Sequence, residues 1–299
     1  MAIILDSRLE AAAVLKAEGL RVIDKGSLQA RVLKPIRICL LNLLPEKPQA
    51  ETEWARGLAH ADYDVELTLC MVESHVPKHT SPEYLQTFYT TPAAIKDEYF
   101  DGLIITGADA EKYPFTEVKY WKELEGVFSW ADSHVNACYF SCWGSMAAMY
   151  HYYGIDKELI GGKLSGIFSH TKPNPEHKLL KDIPTPVYIP HSRISRSLPQ
   201  DIYNCGELKI LADNERIGPA LCVNDEKRHV YIIGHWEYEL NILENQYKRD
   251  SSKGFDMEKP ENYYDDDGNI RTDHDWVSQF HTMMANWVRY FAESSHAEN

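Results

Sequence analysis

Long apolar runs are missing from this 299-residue chain, and none approaches the roughly 20 residues that cross a bilayer as a helix. Basic charge is scarce as well. Thirty-one Lys and Arg face 45 Asp and Glu, a formal net charge of −14, which argues against the concentrated basic face that nucleic acid requires. A few local cations inside a cleft still suit an anionic ligand. The six cysteines (Cys39, Cys70, Cys138, Cys142, Cys205 and Cys222) lack the close, regular spacing of a disulfide framework or zinc site. Most lie in apolar runs, and the set points to a reducing cytoplasm. Gly161-Gly162-Lys163 lacks the earlier glycine and the following Ser or Thr of a phosphate-binding loop. His75 and His79 are separated by Pro77, which breaks the helix that would align them on a metal. Asp265 to Asn269 is acidic but out of register for a calcium loop, and reads as a solvated turn. No metal is expected. Met1-Ala-Ile-Ile-Leu5 meets Asp6 at once, without the basic start and apolar core of a signal peptide.

The rest of the composition is ordinary for a globular protein, with 44% hydrophobic and 25% charged residues. Apolar runs at 37–44, 65–72, 102–106, 135–140, 187–189, 208–211, 220–223 and 230–233 read as strands. Helical patterns fall over 51–59, over 143–153 and over 276–291. Val118, Trp121, Leu124, Val127 and Ala131 recur at helical spacing, with Thr116 as the expected cap. Strands alternating with helices imply parallel pairing and right-handed crossovers, hence an α/β fold. The chain reads as a single domain over 1–299. A segment over about 1–34 and a polar extension over about 250–299 are expected to pack on its core.

Two stretches carry chemistry. Asn136-Ala-Cys-Tyr-Phe-Ser-Cys142-Trp-Gly-Ser-Met146 is an apolar run that ends at a cysteine and passes through glycine into a helical segment. A cysteine at such a turn sits at a helix N-terminus, where the dipole favours thiolate. His229 to Gly234 is a second apolar run, followed by His235-Trp-Glu237. In an extended segment residues i and i+2 share a face, so Glu237 is placed to orient the imidazole of His235. Glu239 falls on the same face; the nearer carboxylate is the better partner. Cys142, His235 and Glu237 together form the set that acyl transfer through a cysteine needs. Both functional turns follow strands, and open α/β sheets place their sites at carboxyl ends of strands. Lys47, after Pro45 at the end of the first strand, is either a surface lysine or a site residue.

These residues resemble the homoserine O-acyltransferase family of methionine biosynthesis, over nearly the whole chain. The landmarks are Leu41-Asn-Leu-Leu-Pro-Glu-Lys47, Glu73-Ser-His75-Val, Phe88-Tyr89, Asp101-Gly-Leu-Ile-Ile-Thr-Gly-Ala108, Cys142-Trp-Gly144, Pro190-His-Ser-Arg193, Gly234-His235, Glu237-Tyr238 and Tyr247-Lys-Arg-Asp250. The resemblance implies a class I glutamine amidotransferase-like (flavodoxin-like) α/β fold, a mostly parallel sheet with helices on both faces. It implies a ping-pong reaction with the acyl group carried by Cys142, His235 as base and Glu237 as its partner. It assigns Lys163, Ser192 and Arg249 to the acceptor, and Lys47 and the Trp143 N–H to the acyl or oxyanion site. A glutamate at the place of Glu111 goes with acetyl-CoA and a glycine with succinyl-CoA, because a carboxylate there fills space and repels the distal carboxylate of succinyl. The partners implied are acetyl-CoA as co-substrate, a small hydroxy amino acid and a second copy of the chain as a homodimer; no bound cofactor is required.

This chain departs from the family at Asp109-Ala110, usually Pro-Val, at Ser145-Met146, usually Ala-Gln, and at Trp236, usually proline. Ser165-Gly-Ile-Phe-Ser169-His170 replaces Phe-Gly-x-Phe-Glu-His, and Ile194-Ser195 replaces the start of His-Thr-Glu. The triad is intact and its lining altered. L-Homoserine is the expected acceptor. L-Serine, one methylene shorter, becomes the alternative if the Trp236 ring faces the pocket. A Cys-His-Glu hydrolase or glutamine amidotransferase shares the triad, but Ser141 stands where their nucleophile turn has glycine.

Overall fold

The structure is a computed structural model and describes residues 1–75, 77, 79–254 and 257–296. The chain opens with β1 (Ile3–Leu5), α1 (Glu10–Ala17), β2 (Val22–Asp24), α2 (Leu28–Val32), β3 (Ile36–Leu41), α3 (Lys47–Leu58) and β4 (Val65–Cys70). It continues through α4 (Pro82–Phe88), β5 (Tyr89–Thr90), β6 (Phe100–Ile105), α5 (Trp121–His134), β7 (Val135–Ser141) and α6 (Trp143–Tyr153). After β8 (Lys157–His170), β9 (Val187–Ser197) and α7 (Pro199–Asn204) come β10 (Lys209–Asn214), β11 (Gly218–Asn224) and β12 (His229–Ile232). Two helices close the chain, α8 (Ile242–Ser252) and α9 (Trp276–His296).

The main sheet runs β10-β11-β12-β7-β6-β3-β4-β1-β2, with β5 also on β4. Pairing is parallel from β12 to β2, and antiparallel only at the β10-β11-β12 edge. Side chains of successive strand residues point to opposite faces, and the apolar runs divide accordingly. Ile38, Leu40, Ile104, Tyr139, Val230 and Ile232 bury against α1, α3 and α9. Cys39, Leu41, Leu103, Ile105, Cys138, Phe140 and Tyr231 bury against α5 and α6. Helices on both faces therefore follow from strands that are apolar on both sides. Cys39, Cys70, Cys138 and Cys222 are buried in the α5 and α6 core, where the sequence expects small core residues. All six cysteines are free thiols.

The boundaries depart from expectation where local polar groups intervene. The strand over 37–44 ends at Leu41, because side chains take over the next backbone groups. Asn42 Oδ1 accepts from the Leu44 N–H at 3.1 Å, and Thr106 Oγ1 accepts from the Leu43 N–H at 2.8 Å. Helix α3 starts at Lys47 rather than 51, since Pro48 fits a first turn that needs no N–H donor. Thr116 does not cap α5: it lies in a 3-10 turn over Phe115–Glu117, and α5 begins at Trp121 after Tyr120. The strand at 187–189 extends to Ser197, because β8 pairs with it antiparallel from His170↔Val187 to Lys157↔Ser197. The segment at 1–34 adds two strands to the sheet edge through β1 on β4 and β2 on β1. Beyond Asp250, α9 buries Trp276, Phe280, Met283, Met284, Trp287, Val288 and Phe291 in the core. Phe255, Asp256 and the last three residues of that extension lie outside the described residues. Trp287 meets Tyr139 edge-on at 5.5 Å and Trp54 meets Phe280 at 5.7 Å, contacts each worth about 0.5–1.5 kcal/mol beyond area burial.

Candidate active site

Strands β7 and β12 are parallel neighbours, with Ile232 opposite Ser141, so the residues that follow them emerge side by side. Cys142 caps α6 with φ +48° and ψ −117°. A non-glycine residue held there stores about 1–3 kcal/mol of backbone strain, which the surroundings must over-determine. They do. The Cys142 N–H donates to Ile232 O at 2.7 Å, and the Cys142 carbonyl accepts from the Met146 N–H at 3.1 Å. Gly144 lets the helix approach β6: a Cβ there would lie 2.5 Å from the Thr106 carbonyl oxygen. A Cβ at Gly107 would lie 3.2 Å from both Cys142 Cβ and His235 Cε1, so glycine lets that loop sit against the pair without crowding it.

His235 is buried, and its N–H donates to Pro190 O at 2.8 Å. Its Nδ1 meets Glu237 Oε1 at 2.8 Å, and its ring stacks on Tyr238 at 4.3 Å and 12°. The thiol of Cys142 is its other hydrogen-bond partner. Burial alone would lower the imidazole pKa; the Cys142 and Glu237 charges override it and hold His235 well above the ordinary value. Glu237 is buried and accepts a second hydrogen bond, from Ser141 Oγ at 3.2 Å. The reason for the His-Glu pairing differs from the sequence argument. Residues 235–238 form a turn, closed by the Tyr238 N–H on His235 O at 3.2 Å, rather than an extended segment. Glu239 points elsewhere and pairs with Arg56.

A cavity of about 370 Å³ opens on Cys142 and His235 and is also lined by Glu111, Lys163, Ser192 and Arg249. Lys163 Nζ and Arg249 Nε share Asp250, at 2.9 and 2.8 Å. Burial would raise Asp250, but the two cations override it and keep its pKa below the usual carboxylate value. Two cations on one carboxylate leave positive charge for an anionic group. Ser192 Oγ donates to Gln246 Oε1 at 2.6 Å, and Gln246 Nε2 donates to the Tyr238 hydroxyl at 3.0 Å. Ser192 is thus linked to the ring that stacks on His235. Glu111 Oε1 accepts from the Ile194 N–H, the Ser195 N–H and Ser195 Oγ at 2.9, 3.0 and 2.9 Å, which fixes its carboxylate on β9.

Two expected residues stand apart. Lys47 is buried and lines a neighbouring cavity of about 530 Å³, which shares Leu44, Pro45 and Asp109 with the first. Its Nζ donates to the Asn42 carbonyl, and burial lowers its pKa to about 8. The Trp143 side chain is wholly buried. Its backbone N–H, at the first position of α6, has no intrahelical acceptor and is oriented as helix N-termini orient donors. Trp236 is fully buried in the core with Tyr139, Trp54 and α9, and does not line the cavity, so its ring takes no space from a ligand.

Sequence reasoning missed three residues here. Arg193 is buried beside Cys142, with Nε on His191 Nδ1 at 3.1 Å and Nη1 on Ser195 O at 2.8 Å. Burial lowers its pKa to about 10, and the neighbouring Cys142 and Glu111 counteract this. Glu53 and Gln246 come from the faces of α3 and α8 that look into the cavity; a helical period alone does not mark them. No group of three or more His, Cys, Asp or Glu suited to a metal occurs among the described residues. No helix among them is long and apolar enough to cross a membrane.

Comparison with known proteins agrees with this geometry. Residues 2–297 match the family model described as homoserine O-succinyltransferase. The chain is 37% identical over 292 residues to a homoserine O-acetyltransferase of Lachnospira eligens, covering 97% of this chain and 94% of that protein. It is also 37% identical over 292 residues to a homoserine O-acetyltransferase of Clostridium novyi, covering 97% of each. Among solved structures it is similar to glutamine amidotransferases from Methylobacillus flagellatus and Thermotoga maritima. The first has a TM-score of 0.55 at 13% identity, covering 87% of this chain and 96% of that one. The second has a TM-score of 0.51 at 14% identity, covering 86% and 99%. At that identity the likeness shows the fold alone, and it is the α/β fold expected. The chain belongs to the homoserine O-succinyltransferase family and is an acyltransferase.

Proposed function

We propose that this member of the family transfers the acetyl group of acetyl-CoA to the hydroxyl of L-homoserine, through a thioester on Cys142. The observation that carries the reading is the Cys142–His235–Glu237 relay opening on a cavity with two cations at Lys163 and Arg249. Relatives named homoserine O-acetyltransferase, similar over nearly their whole length, support the acyl group and the acceptor.

The steps follow from the geometry. Glu237 holds Nδ1 of His235, which leaves Nε2 for the thiol. The thiolate attacks the thioester carbonyl of acetyl-CoA, and the developing oxyanion is met by N–H donors at the start of α6, beginning with Trp143. Collapse breaks the bond to CoA sulfur, which leaves as a thiol with the proton from the imidazolium. Homoserine then enters with its carboxylate toward Arg249 and Lys163. His235 removes the hydroxyl proton as the oxygen attacks the acyl-cysteine, and the proton returns to the departing Cys142 sulfur. Glu111, fixed on β9, excludes the distal carboxylate of succinyl-CoA. With Trp236 in the core, the argument for the shorter acceptor serine loses its support. We take the working unit to be a homodimer, as the resemblance implies.

CoA release from acetyl-CoA and succinyl-CoA, each with homoserine and with serine, tests the reading. The acetyl and homoserine combination is expected to have the highest kcat/KM. A higher value with serine overturns the acceptor, a higher value with succinyl-CoA overturns the acyl group, and glutamine hydrolysis without CoA release overturns the reaction class.

A further inference from the structure

The acceptor proposed above is a zwitterion, and the cavity answers its carboxylate with Lys163 and Arg249. Four acidic side chains line the same cavity: Glu46, Glu53, Asp109 and Glu111. Glu46 and Asp109 are exposed to water. Glu111 already gives one oxygen to three donors of β9. Glu53 differs from all of them. It is 2% exposed, and its Oε1 accepts from Gln49 Nε2 at 2.9 Å. Its Oε2 is buried without any hydrogen-bond partner.

A buried carboxyl oxygen without a donor is rare in a folded protein, and each case calls for a specific reason. Burial and the charge of Glu237 raise the pKa of Glu53 to about 8, which keeps it largely protonated at neutral pH. A cation arriving beside it would reverse that preference and release the proton to solvent. Glu53 lines this cavity together with Cys142 and His235, and lines a second one together with Glu237 and Tyr238.

We propose that Glu53 binds the α-ammonium of the amino-acid acceptor, with Oε2 as the receiving atom. This rests on the reading of the chain as an amino-acid O-acyltransferase and adds the group that selects an amino acid over a plain hydroxy acid. The ammonium lies between Glu53 and the carboxylate-binding pair, so both charged ends of the acceptor are held and its hydroxyl is directed toward His235.

The test compares L-homoserine with 4-hydroxybutanoate, which keeps the hydroxyl and carboxylate and lacks the amine. Each is assayed with acetyl-CoA on the wild-type protein and on Glu53→Gln. Losing one partner of a buried charged contact lowers kcat/KM for homoserine by roughly 30-fold or more, mainly through KM. The value for 4-hydroxybutanoate is expected to change far less, so the preference for the amine collapses. Mass spectrometry of the acyl-cysteine formed from acetyl-CoA alone reports whether each protein is folded and competent for the first half-reaction. An acylated Glu53→Gln with an unchanged preference overturns the role of Glu53 and leaves the acyltransferase reading standing. Equal losses with both acceptors would mark Glu53 as a positioning residue for His235 and also overturn it. Absence of acyl-cysteine in the wild-type protein overturns both readings.

Discussion

Glu53→Gln has a second consequence, which concerns stability rather than turnover. The carboxyl of Glu53 has an ordinary value of 4.5 and is raised to about 8 in the folded chain, chiefly by burial and then by the Glu237 charge. Between those values the unfolded chain has released a proton that the folded chain keeps. Unfolding is therefore increasingly favoured as pH rises from 4.5 to 8, and the penalty levels off above 8. At 1.36 kcal/mol per unit the full penalty is on the order of 4–5 kcal/mol, of which about 3 kcal/mol is present at pH 7. Glutamine has the same shape and does not ionise. It keeps an acceptor for Gln49 but buries an amide N–H₂ where Oε2 had no partner, which costs about 1–3 kcal/mol at every pH. The variant is thus expected to be less stable than wild type near pH 5 and more stable near pH 8.5. Denaturant midpoints of the two proteins at matched pH measure this. A stability difference that stays constant from pH 5 to 8.5 would refute the reasoning, since it would mean that Glu53 titrates alike in both states.

Two further outcomes follow from the site. Glu237→Gln leaves the shape of the turn but removes the charge that helps hold the His235 pKa up, so kcat is expected to fall by roughly 10³–10⁴-fold and the imidazole titration to move to lower pH; an unmoved pH profile would contradict the pairing. Glu111→Gly removes the carboxylate fixed on Ile194 and Ser195 and is expected to raise succinyl-CoA use relative to acetyl-CoA by tenfold or more, about 1.4 kcal/mol, so an unchanged ratio of the two kcat/KM values would detach Glu111 from the acyl pocket.

What the sequence made legible was local. The turn at Cys142 is written in a mostly apolar seven-residue strand, a cysteine and a glycine, and α6 spans the expected residues 143–153. An extended face would bring His235 and Glu237 together; a turn joins them instead, and two residues of separation brings the groups together in either backbone. Residues whose role depends on distant partners were not legible. Glu53 sits in an amphipathic helix beside Trp54, and the 235–238 turn that meets it comes from much later in the sequence. Strand β1 has three residues and needs β4, some 60 positions later, to become a strand. Long-range pairing likewise sets the length of β8 and β9, where Gly161, Gly162 and Lys163 interrupt any alternating pattern. The direction of the Trp236 ring is open in the sequence, because the residue merely adjoins the base, and the turn sends the ring into the core.

The central claim is that Cys142 carries the acyl group, and it is tested most directly by the mass of the protein after incubation with acetyl-CoA and no acceptor. One acetyl group is expected, located on the peptide containing Cys142, absent in Cys142→Ala and discharged when homoserine is added. A protein that turns over without ever acquiring that acetyl, or one that still acquires it in Cys142→Ala, would contradict the account.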